Sequence, residues 1–309
     1  MREYPWLEVF NCPITKSVRI LPVSVARNLR LTFDMIKWEH SIFALPFALA
    51  GAMLAAGGLP TWRQLGWILV AMVAARSAAM AFNRLVDHRL DAANPRTRGR
   101  ALPSGLLSRQ FVGGFVVLSC AVFVLAAAEL NRLALVLSPV ALAILLLYSY
   151  TKRFTRWSHL VLGFADGISA PAGWIAVRGS LDWRIVILAV AVTFWVGGFD
   201  VLYACQDYEF DREAGLHSIP RFIGIRGALW VARAFHLLML GLLLWLVFAL
   251  HLGALAVVGV AIVGGLLAYE HSLVSHRDLS RLNAAFFTMN GVISVVYFIF
   301  IAADLLLRR

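Results

Sequence analysis

The sequence predicts an all-α protein that crosses a membrane several times. Of its 309 residues, 61% are hydrophobic and only 15% are charged, whereas soluble globular domains average roughly 45–50% apolar and about 25% charged residues. Nine stretches are each long and apolar enough to form a spanning helix, which needs about 20 residues. This composition excludes a coiled coil, a collagen and a disordered chain, and three cysteines are too few for a disulfide framework.

The predicted spans leave no room for a separate soluble domain, so residues 1–309 are expected to form a single integral-membrane domain. Residues 1–40 precede the first span as a cytoplasmic segment, and the basic stretch 20–40 within it is expected to lie in the membrane interface as an amphipathic helix. The predicted spans are 41–59, 64–86, 111–128, 133–150, 158–177, 185–206, 227–250, 253–270 and 284–305.

The distribution of positive charge predicts the orientation. The net charge is +11, and with a cytoplasmic N-terminus 19 of the 28 Lys and Arg residues fall on the cytoplasmic side, as the positive-inside rule requires. The basic excess is therefore explained without a nucleic-acid partner. Two long polar loops, 87–110 (the first cap loop) and 207–226 (the second cap loop), lie on this face of a protein expected in the inner (cytoplasmic) membrane.

The two cap loops begin with matching acidic residues. Asp87 and Asp207 are 120 positions apart, and so are Asp91 and Asp211. Each pair follows the second span of a four-span block. This spacing predicts two four-helix repeats plus a ninth helix.

The acidic residues fall on shared helix faces. Offsets of four or seven residues bring side chains to one side of a helix, and Asp200 lies inside an apolar stretch, where an ionisable group is costly and usually functional. Two carboxylate pairs at one membrane surface repel each other unless cations neutralise them, and oxygen ligands of this kind suit Mg²⁺. The two sets are Asn83, Asp87 and Asp91, and Asp200, Asp207 and Asp211.

Nearby cations predict a phosphorylated ligand. Arginine binds phosphate oxygens through a planar fork, and a mid-span arginine has no role in topology. Together with an apolar bundle behind them, the carboxylates and cations predict Mg²⁺, a diphosphate and a lipid tail. The cations are Lys37, Arg76, Arg96, Arg100 and Lys152.

Read together, these residues resemble the UbiA superfamily of intramembrane aromatic prenyltransferases. The first motif of that family, NDxxDxxxD, matches 83–91, although Arg84 stands where the family has Asp. Its second motif matches Asp200, Asp207 and Asp211. The resemblance extends over about residues 30–305 and implies nine helices around a central cavity that is capped on the cytoplasmic side. Two further elements match, YxxxK at Tyr148 to Lys152 and the arginine-rich segment 96–105. The stretches 36–47 and 203–220 are similar to the 4-hydroxybenzoate polyprenyltransferase and MqnP-like branch.

The resemblance implies a Mg²⁺-dependent transfer of a polyprenyl group from polyprenyl diphosphate to a ring carbon of 4-hydroxybenzoate, in ubiquinone or menaquinone biosynthesis. The same reaction on 1,4-dihydroxy-6-naphthoate, in the futalosine route to menaquinone, remains open. The resemblance also implies that Asp87, Asp91, Asp207 and Asp211 bind the metal. Arg84 is not expected to be a metal ligand. The diphosphate and the acceptor are assigned to Lys37, Arg76, Asn83, Arg96, Arg100 and Lys152, and Tyr148 and Asp200 are assigned to catalysis.

Other interpretations compete with this one. A secondary transporter also has intramembrane acids and repeats, but its sites lie near the membrane midplane. A CDP-alcohol phosphotransferase needs its carboxylates within one continuous segment, and enzymes of the haem O, chlorophyll or tocopherol type belong to the same superfamily. The protein is expected to lie in the lipid bilayer, and no obligate protein partner is expected. The eight histidines show no zinc-binding spacing and are interpreted mostly as helix-end or interfacial residues, while the orientation of the mid-span Asp166 is left open.

Overall fold

The structure, a computed structural model, describes residues 25–37, 41–282 and 288–308, and its regular elements in these ranges are helices. The first group is α1 (Val25–Ile36), α2 (Ser41–Ala56), α3 (Trp62–Val86), α4 (His88–Ala93), α5 (Arg109–Leu130), α6 (Arg132–Thr151) and α7 (Ser158–Gly167). The second group is α8 (Ser169–Arg178), α9 (Trp183–Ala204), α10 (Tyr208–Glu213), α11 (Ile219–Ala249), α12 (Ala254–Ser272) and α13 (Asn290–Leu307).

Within the described residues, eight helical units are long and apolar enough to cross a membrane, which makes the chain a multi-pass membrane protein. The predicted first span, 41–59, is the apolar helix α2, which has 16 residues and is too short to be counted among the eight. The predicted last span, 284–305, corresponds to α13, and residues 283–287 lie outside the described ranges. A count of nine crossings therefore stays a prediction, as does the repeat layout.

The predicted interfacial helix forms in part of the N-terminal segment. Helix α1 buries Thr32, Met35 and Ile36 and packs against α3, while Phe33 is exposed. The rest of the predicted 1–40 segment, residues 1–24 and 38–40, lies outside the described residues.

The long helices close into a ring around a cavity. Helix α2 packs against α3, α3 against α5, α5 against α6, and α6 against α7. On the other side α9 packs against α7 and α11, α12 lies between α11 and α13, and α13 returns to α2. Side chains cap the exposed helix starts as expected for orphan N–H groups: Thr61 for α3, Ser108 for α5, Asn131 for α6 and Asp182 for α9.

One predicted span and one predicted loop differ in the structure. The span predicted over 158–177 breaks at Ile168 into α7 and α8, because Pro171 has no N–H for the carbonyl group of Gly167. The second cap loop, predicted over 207–226, is largely helical. Helix α11 already starts at Ile219, with a proline in its first turn, and bends at Gly224, whose φ of 73° is left-handed.

The first cap loop, 87–110, consists of α4 and a series of turns before α5. Its Leu102 and Leu107 are buried beside Met35, Ile36 and Val112 in one apolar cluster. This cluster fastens the loop to α1 and α5, so the loop is held over the mouth of the cavity.

Candidate active site

All twelve residues predicted for the site line one cavity of about 380 Å³. Its floor is apolar and includes Met72, Phe123, Leu145 and Phe199. Its mouth is strongly charged. The twelve lining residues are Lys37, Arg76, Asn83, Asp87, Asp91, Arg96, Arg100, Tyr148, Lys152, Asp200, Asp207 and Asp211.

Asp87 sits at the junction of α3 and α4 and is 2% exposed. One carboxylate oxygen accepts a hydrogen bond from the Lys152 ammonium group and a longer one, 3.3 Å, from the Asn83 amide. The other oxygen accepts from the Arg153 guanidinium at 2.9 Å. The buried charge of Asp87 is thus balanced by two cations from the end of α6.

Asp91, one turn further along, is also buried. Its Oδ1 accepts from Arg100 at 2.8 Å. Among the described residues no donor reaches its Oδ2 within hydrogen-bond distance, and the nearest cation, the Arg84 guanidinium, is 3.9 Å away. One oxygen of Asp91 is therefore left for a ligand that the protein does not supply.

Asp207 joins the two cap loops. Arg96 of the first cap loop forms a bidentate pair with Asp207: Nε donates to Oδ1 at 2.9 Å and Nη2 donates to Oδ2 at 2.5 Å. The Asn94 side-chain amide also donates to Oδ1, at 3.0 Å. Arg96 also donates to the Tyr203 hydroxyl at 3.1 Å. Burial lowers the pKa of Arg96, but the hydrogen bond and the charge of Asp207 outweigh this effect, so the pKa is raised above its usual value.

The two acidic junctions have the same local form. Asp87 lies between the long helix α3 and the six-residue helix α4. Asp207 ends a single 3₁₀ turn between the long helix α9 and the six-residue helix α10. The second aspartate of each pair, Asp91 or Asp211, is buried on the short helix. Each carboxylate pair is thus presented by a break in a membrane helix.

Deeper in the cavity, polar groups come from four helices. Asp200 of α9 is hydrogen-bonded to His159 Nδ1 at 2.7 Å. Arg76 of α3 keeps a buried Nε without a partner among the described residues, and both Asp166 and Tyr148 line the same space. The orientation left open for Asp166 is thereby answered, since it borders the cavity.

The site suits a divalent cation by its chemistry, although no group of three or more His, Cys, Asp or Glu side chains within residues 25–37, 41–282 and 288–308 is placed to hold one alone. The free Oδ2 of Asp91 and the paired carboxylates offer hard oxygen ligands. Mg²⁺ typically takes one or two carboxylates and completes its shell with water and phosphate oxygens. The residues fit a metal that binds together with a phosphorylated ligand.

Several contacts at the site were not expected from the sequence. His159 lies at a helix end, as is expected for most of the histidines, but it is also 4% exposed and hydrogen-bonded to Asp200. Arg153 and Asn94 bind the aspartates from distant parts of the chain. Asn94 lies two residues before Arg96, and Arg153 directly follows Lys152. Their position next to predicted site residues is therefore the feature of the sequence that could have indicated them. Nothing in the pattern singled out His159.

Fold and site together define a membrane protein whose helix ring encloses an apolar cavity with a mouth of carboxylates and cations, as an enzyme acting on a phosphorylated lipid requires. The UbiA prenyltransferase family profile matches residues 44–292. The chain belongs to the UbiA prenyltransferase family.

Individual relatives agree with this assignment. The 4-hydroxybenzoate octaprenyltransferase of Vibrio cholerae serotype O1 is 32% identical over 244 residues, which are 78% of this chain and 84% of the relative. The apo structure of a UbiA homolog from Aeropyrum pernix K1 is 34% identical with a TM-score of 0.79, covering 86% of this chain and 98% of that one. A UbiA homolog from Archaeoglobus fulgidus bound to DMAPP and Mg²⁺ shares the fold at 19% identity, with a TM-score of 0.68 over 90% of this chain and 98% of that one.

Proposed function

We propose that this chain transfers a polyprenyl group from polyprenyl diphosphate to a ring carbon of 4-hydroxybenzoate in quinone biosynthesis. The observation that carries the proposal is the cavity itself, where the predicted carboxylates and cations surround one mouth above an apolar floor. The name of the Vibrio cholerae relative supports the acceptor, and the ligands of the Archaeoglobus fulgidus homolog support the donor class and the metal.

The diphosphate is held at the mouth. Lys37, Arg96, Arg100 and Lys152 border this space and supply positive charge and N–H donors for the phosphate oxygens. Mg²⁺ held by Asp87, Asp91, Asp207 and Asp211 would neutralise the charge that builds on the leaving diphosphate. Asn83, bonded to Asp87, keeps that carboxylate in place.

The prenyl chain lies along the apolar part of the cavity, and the aromatic acid lies beside its first isoprene unit. Arg76 has a buried Nε without a partner among the described residues, and this group suits the carboxylate of the acid. Asp200 positions the phenol hydroxyl. Tyr148 borders the same space and presents its ring to the allylic cation. The cap loops exclude water, which would otherwise hydrolyse that cation.

The bond changes balance without a further reactant. The allylic C–O bond breaks and its electron pair leaves with the diphosphate. A ring carbon next to the phenol oxygen forms the new C–C bond, and the ring proton passes to the released diphosphate, which restores aromaticity. The positive-inside pattern supports an inner-membrane location with the N-terminus and the cap loops on the cytoplasmic side.

A product assay tests the proposal. Purified protein with Mg²⁺ and geranyl diphosphate is offered 4-hydroxybenzoate and 1,4-dihydroxy-6-naphthoate in parallel, and products are identified by mass spectrometry. We expect prenylated 4-hydroxybenzoate and one diphosphate released per product. A product from the naphthoate alone would overturn the acceptor assignment. Failure to bind the donor in a folded sample would overturn the prenyltransferase assignment.

The metal-binding role of Asp87 has its own test. Asp87→Asn should abolish turnover because it removes a buried carboxylate at the mouth. The matched control is Glu209→Gln, since Glu209 lies on the nearby helix α10 with its side chain 68% exposed and paired only to Arg212 among the described residues. Equal turnover in the two variants would contradict the assignment, provided that both insert and fold as the unaltered protein does.

A further inference from the structure

His159 connects three parts of the molecule. It is the second residue of α7 and is buried, with 4% of its surface exposed. Its Nδ1 lies 2.7 Å from Oδ2 of Asp200, and its Nε2 lies 3.3 Å from the backbone nitrogen of Ile219. Ile219 is the first residue of α11, where a backbone N–H has no partner within the helix.

These two bonds select one tautomer of the imidazole. The Ile219 N–H can only donate, so Nε2 accepts and carries the lone pair. The ring proton then lies on Nδ1 and is donated to Asp200, because a neutral imidazole has one donor and one acceptor nitrogen. Asp200 lines the cavity and keeps 23% of its side chain exposed, so His159 holds one oxygen while the carboxylate stays accessible from the cavity.

Ile219 belongs to a short segment flanked by two glycines. Gly215 and Gly224 both have φ of 73°, a left-handed conformation that favours glycine. Between them, residues 216–223 (the hinged segment) also contact the site. Leu216 lines the cavity, and its backbone nitrogen donates to the Asp211 carbonyl oxygen at 3.0 Å. The backbone nitrogen of His217 donates to the Lys152 carbonyl oxygen at 2.8 Å.

We propose that His159 is a positioning residue that orients the Asp200 carboxylate toward the acceptor only while the hinged segment is docked over the cavity. When the segment is docked, the Ile219 N–H occupies Nε2 and keeps the proton on Nδ1, where it binds Asp200. When the segment lifts, Nε2 is released, the proton is free to move to it, and Asp200 loses its donor. The role of Asp200 in this scheme rests on the proposed function.

Two substitutions separate the two bonds of His159. The asparagine amide is as many bonds from Cα as Nδ1, and the glutamine amide is as many bonds from Cα as Nε2. His159→Asn therefore keeps a donor for Asp200 and loses the acceptor for Ile219. His159→Gln keeps the acceptor for Ile219 and loses the donor for Asp200. His276→Gln, at an exposed histidine, is the control.

We expect His159→Gln to lower kcat/KM for the acceptor about 10²-fold, the size of effect that a misplaced group produces, with KM for the prenyl diphosphate unchanged. His159→Asn should lower kcat/KM less than His159→Gln does, because its amide still donates a hydrogen bond to Asp200. In an Asp200→Asn background, His159→Gln should cost nothing further. Equal losses in the two variants, or losses that add in that background, would show a merely structural role and overturn the proposal.

Measurements that need no turnover separate this proposal from the proposed function. Trypsin should cleave after Arg221, inside the hinged segment, faster in His159→Asn than in His159→Gln. Nitrogen-15 histidine NMR should show the Nδ1–H tautomer for His159, with its signal changed by Asp200→Asn. If no acceptor is prenylated but both results hold, the proposed function fails and the link stands. An Nε2–H tautomer would refute the link whatever the activity.

Discussion

Arg96 acts as the internal counter-ion of Asp207, so replacing it should have opposite effects on two ligands. Its guanidinium donates to both carboxylate oxygens, at 2.9 and 2.5 Å, and lies over the Tyr203 ring, 5.3 Å from the centroid. A metal ion that binds Asp207 must first displace the Arg96 guanidinium. Arg96→Gln should therefore strengthen the binding of Mg²⁺ alone and weaken the binding of prenyl diphosphate.

The size of the effect follows from the exposure of the pair. A hydrogen bond to a charged group contributes about 1.5–3 kcal/mol when sheltered. Here the side chains of Arg96 and Asp207 are 32% and 20% exposed, and solvent screening reduces the pair to about 1–2 kcal/mol in total. Since about 1.4 kcal/mol corresponds to a factor of ten, the affinity for Mg²⁺ alone should rise about 5- to 30-fold. The affinity for the diphosphate should fall at least about tenfold, because its bidentate partner is lost.

Isothermal titration calorimetry measures both affinities. Mg²⁺ is titrated into metal-free protein, and geranyl thiodiphosphate, a slowly reacting donor analogue, is titrated into Mg²⁺-saturated protein. Arg212→Gln is the control for the loss of one positive charge, since Arg212 is 62% exposed and paired with Glu209. If Arg96→Gln left Mg²⁺ affinity equal to that of the control, or weakened it, the displacement reasoning would be refuted.

Three further variants test other parts of the structure. Arg76→Met should raise KM for the aromatic acid about 10- to 100-fold, the value of a lost charge-assisted bond, and steady-state kinetics with an unchanged donor KM would separate this from general damage. Gly173→Ala should destabilise the protein by about 1–3 kcal/mol in thermal unfolding, because a Cβ there overlaps a carbonyl oxygen of the facing helix. The control Gly114→Ala, on an open face of its helix, should be neutral or stabilising. Equal shifts in the two variants would argue against close packing at Gly173. Arg84→Asp places a second carboxylate beside Asp91, so the metal-free protein should melt lower and gain more from Mg²⁺ than the unaltered protein does, and an equal Mg²⁺ response would contradict this.

The site residues could be predicted because helix periodicity and membrane topology constrain them together. Offsets of four and seven single out Asp87, Asp91, Asp207 and Asp211, and the charge distribution assigns both sets to one membrane surface. In the structure each set is interrupted at a helix junction, since α3 ends before Asp87 and α9 ends before Asp207. What periodicity cannot provide is the pairing across the bundle. Asp207 binds Arg96 from 111 positions away, and such contacts depend on how the helices close into a ring.

The predicted helix boundaries differ from the structure where a single residue has more effect on the backbone than the hydropathy of its neighbours. The hydropathy of the run 158–177 gives no sign of its break at Ile168. The sign in the sequence is Pro171, whose missing N–H permits a kink. Residues 207–226 are predicted as a loop because they are polar. In the structure they include α10 and the start of α11. Polar residues form helices readily at a membrane surface, where water satisfies their side chains, so low hydropathy alone does not separate an interfacial helix from a loop.

The charge balance at the mouth explains why metal and diphosphate should bind together. Three of the aspartates already have protein cations: Lys152 and Arg153 for Asp87, and one arginine each for Asp91 and Asp207. Mg²⁺ alone would have to displace those cations and leave them without counter-charge in a partly dry site, which is costly. Diphosphate alone would meet carboxylates that repel it. When both bind, the carboxylates bind the metal, the released cations bind the phosphate oxygens, and no charge is left unpaired.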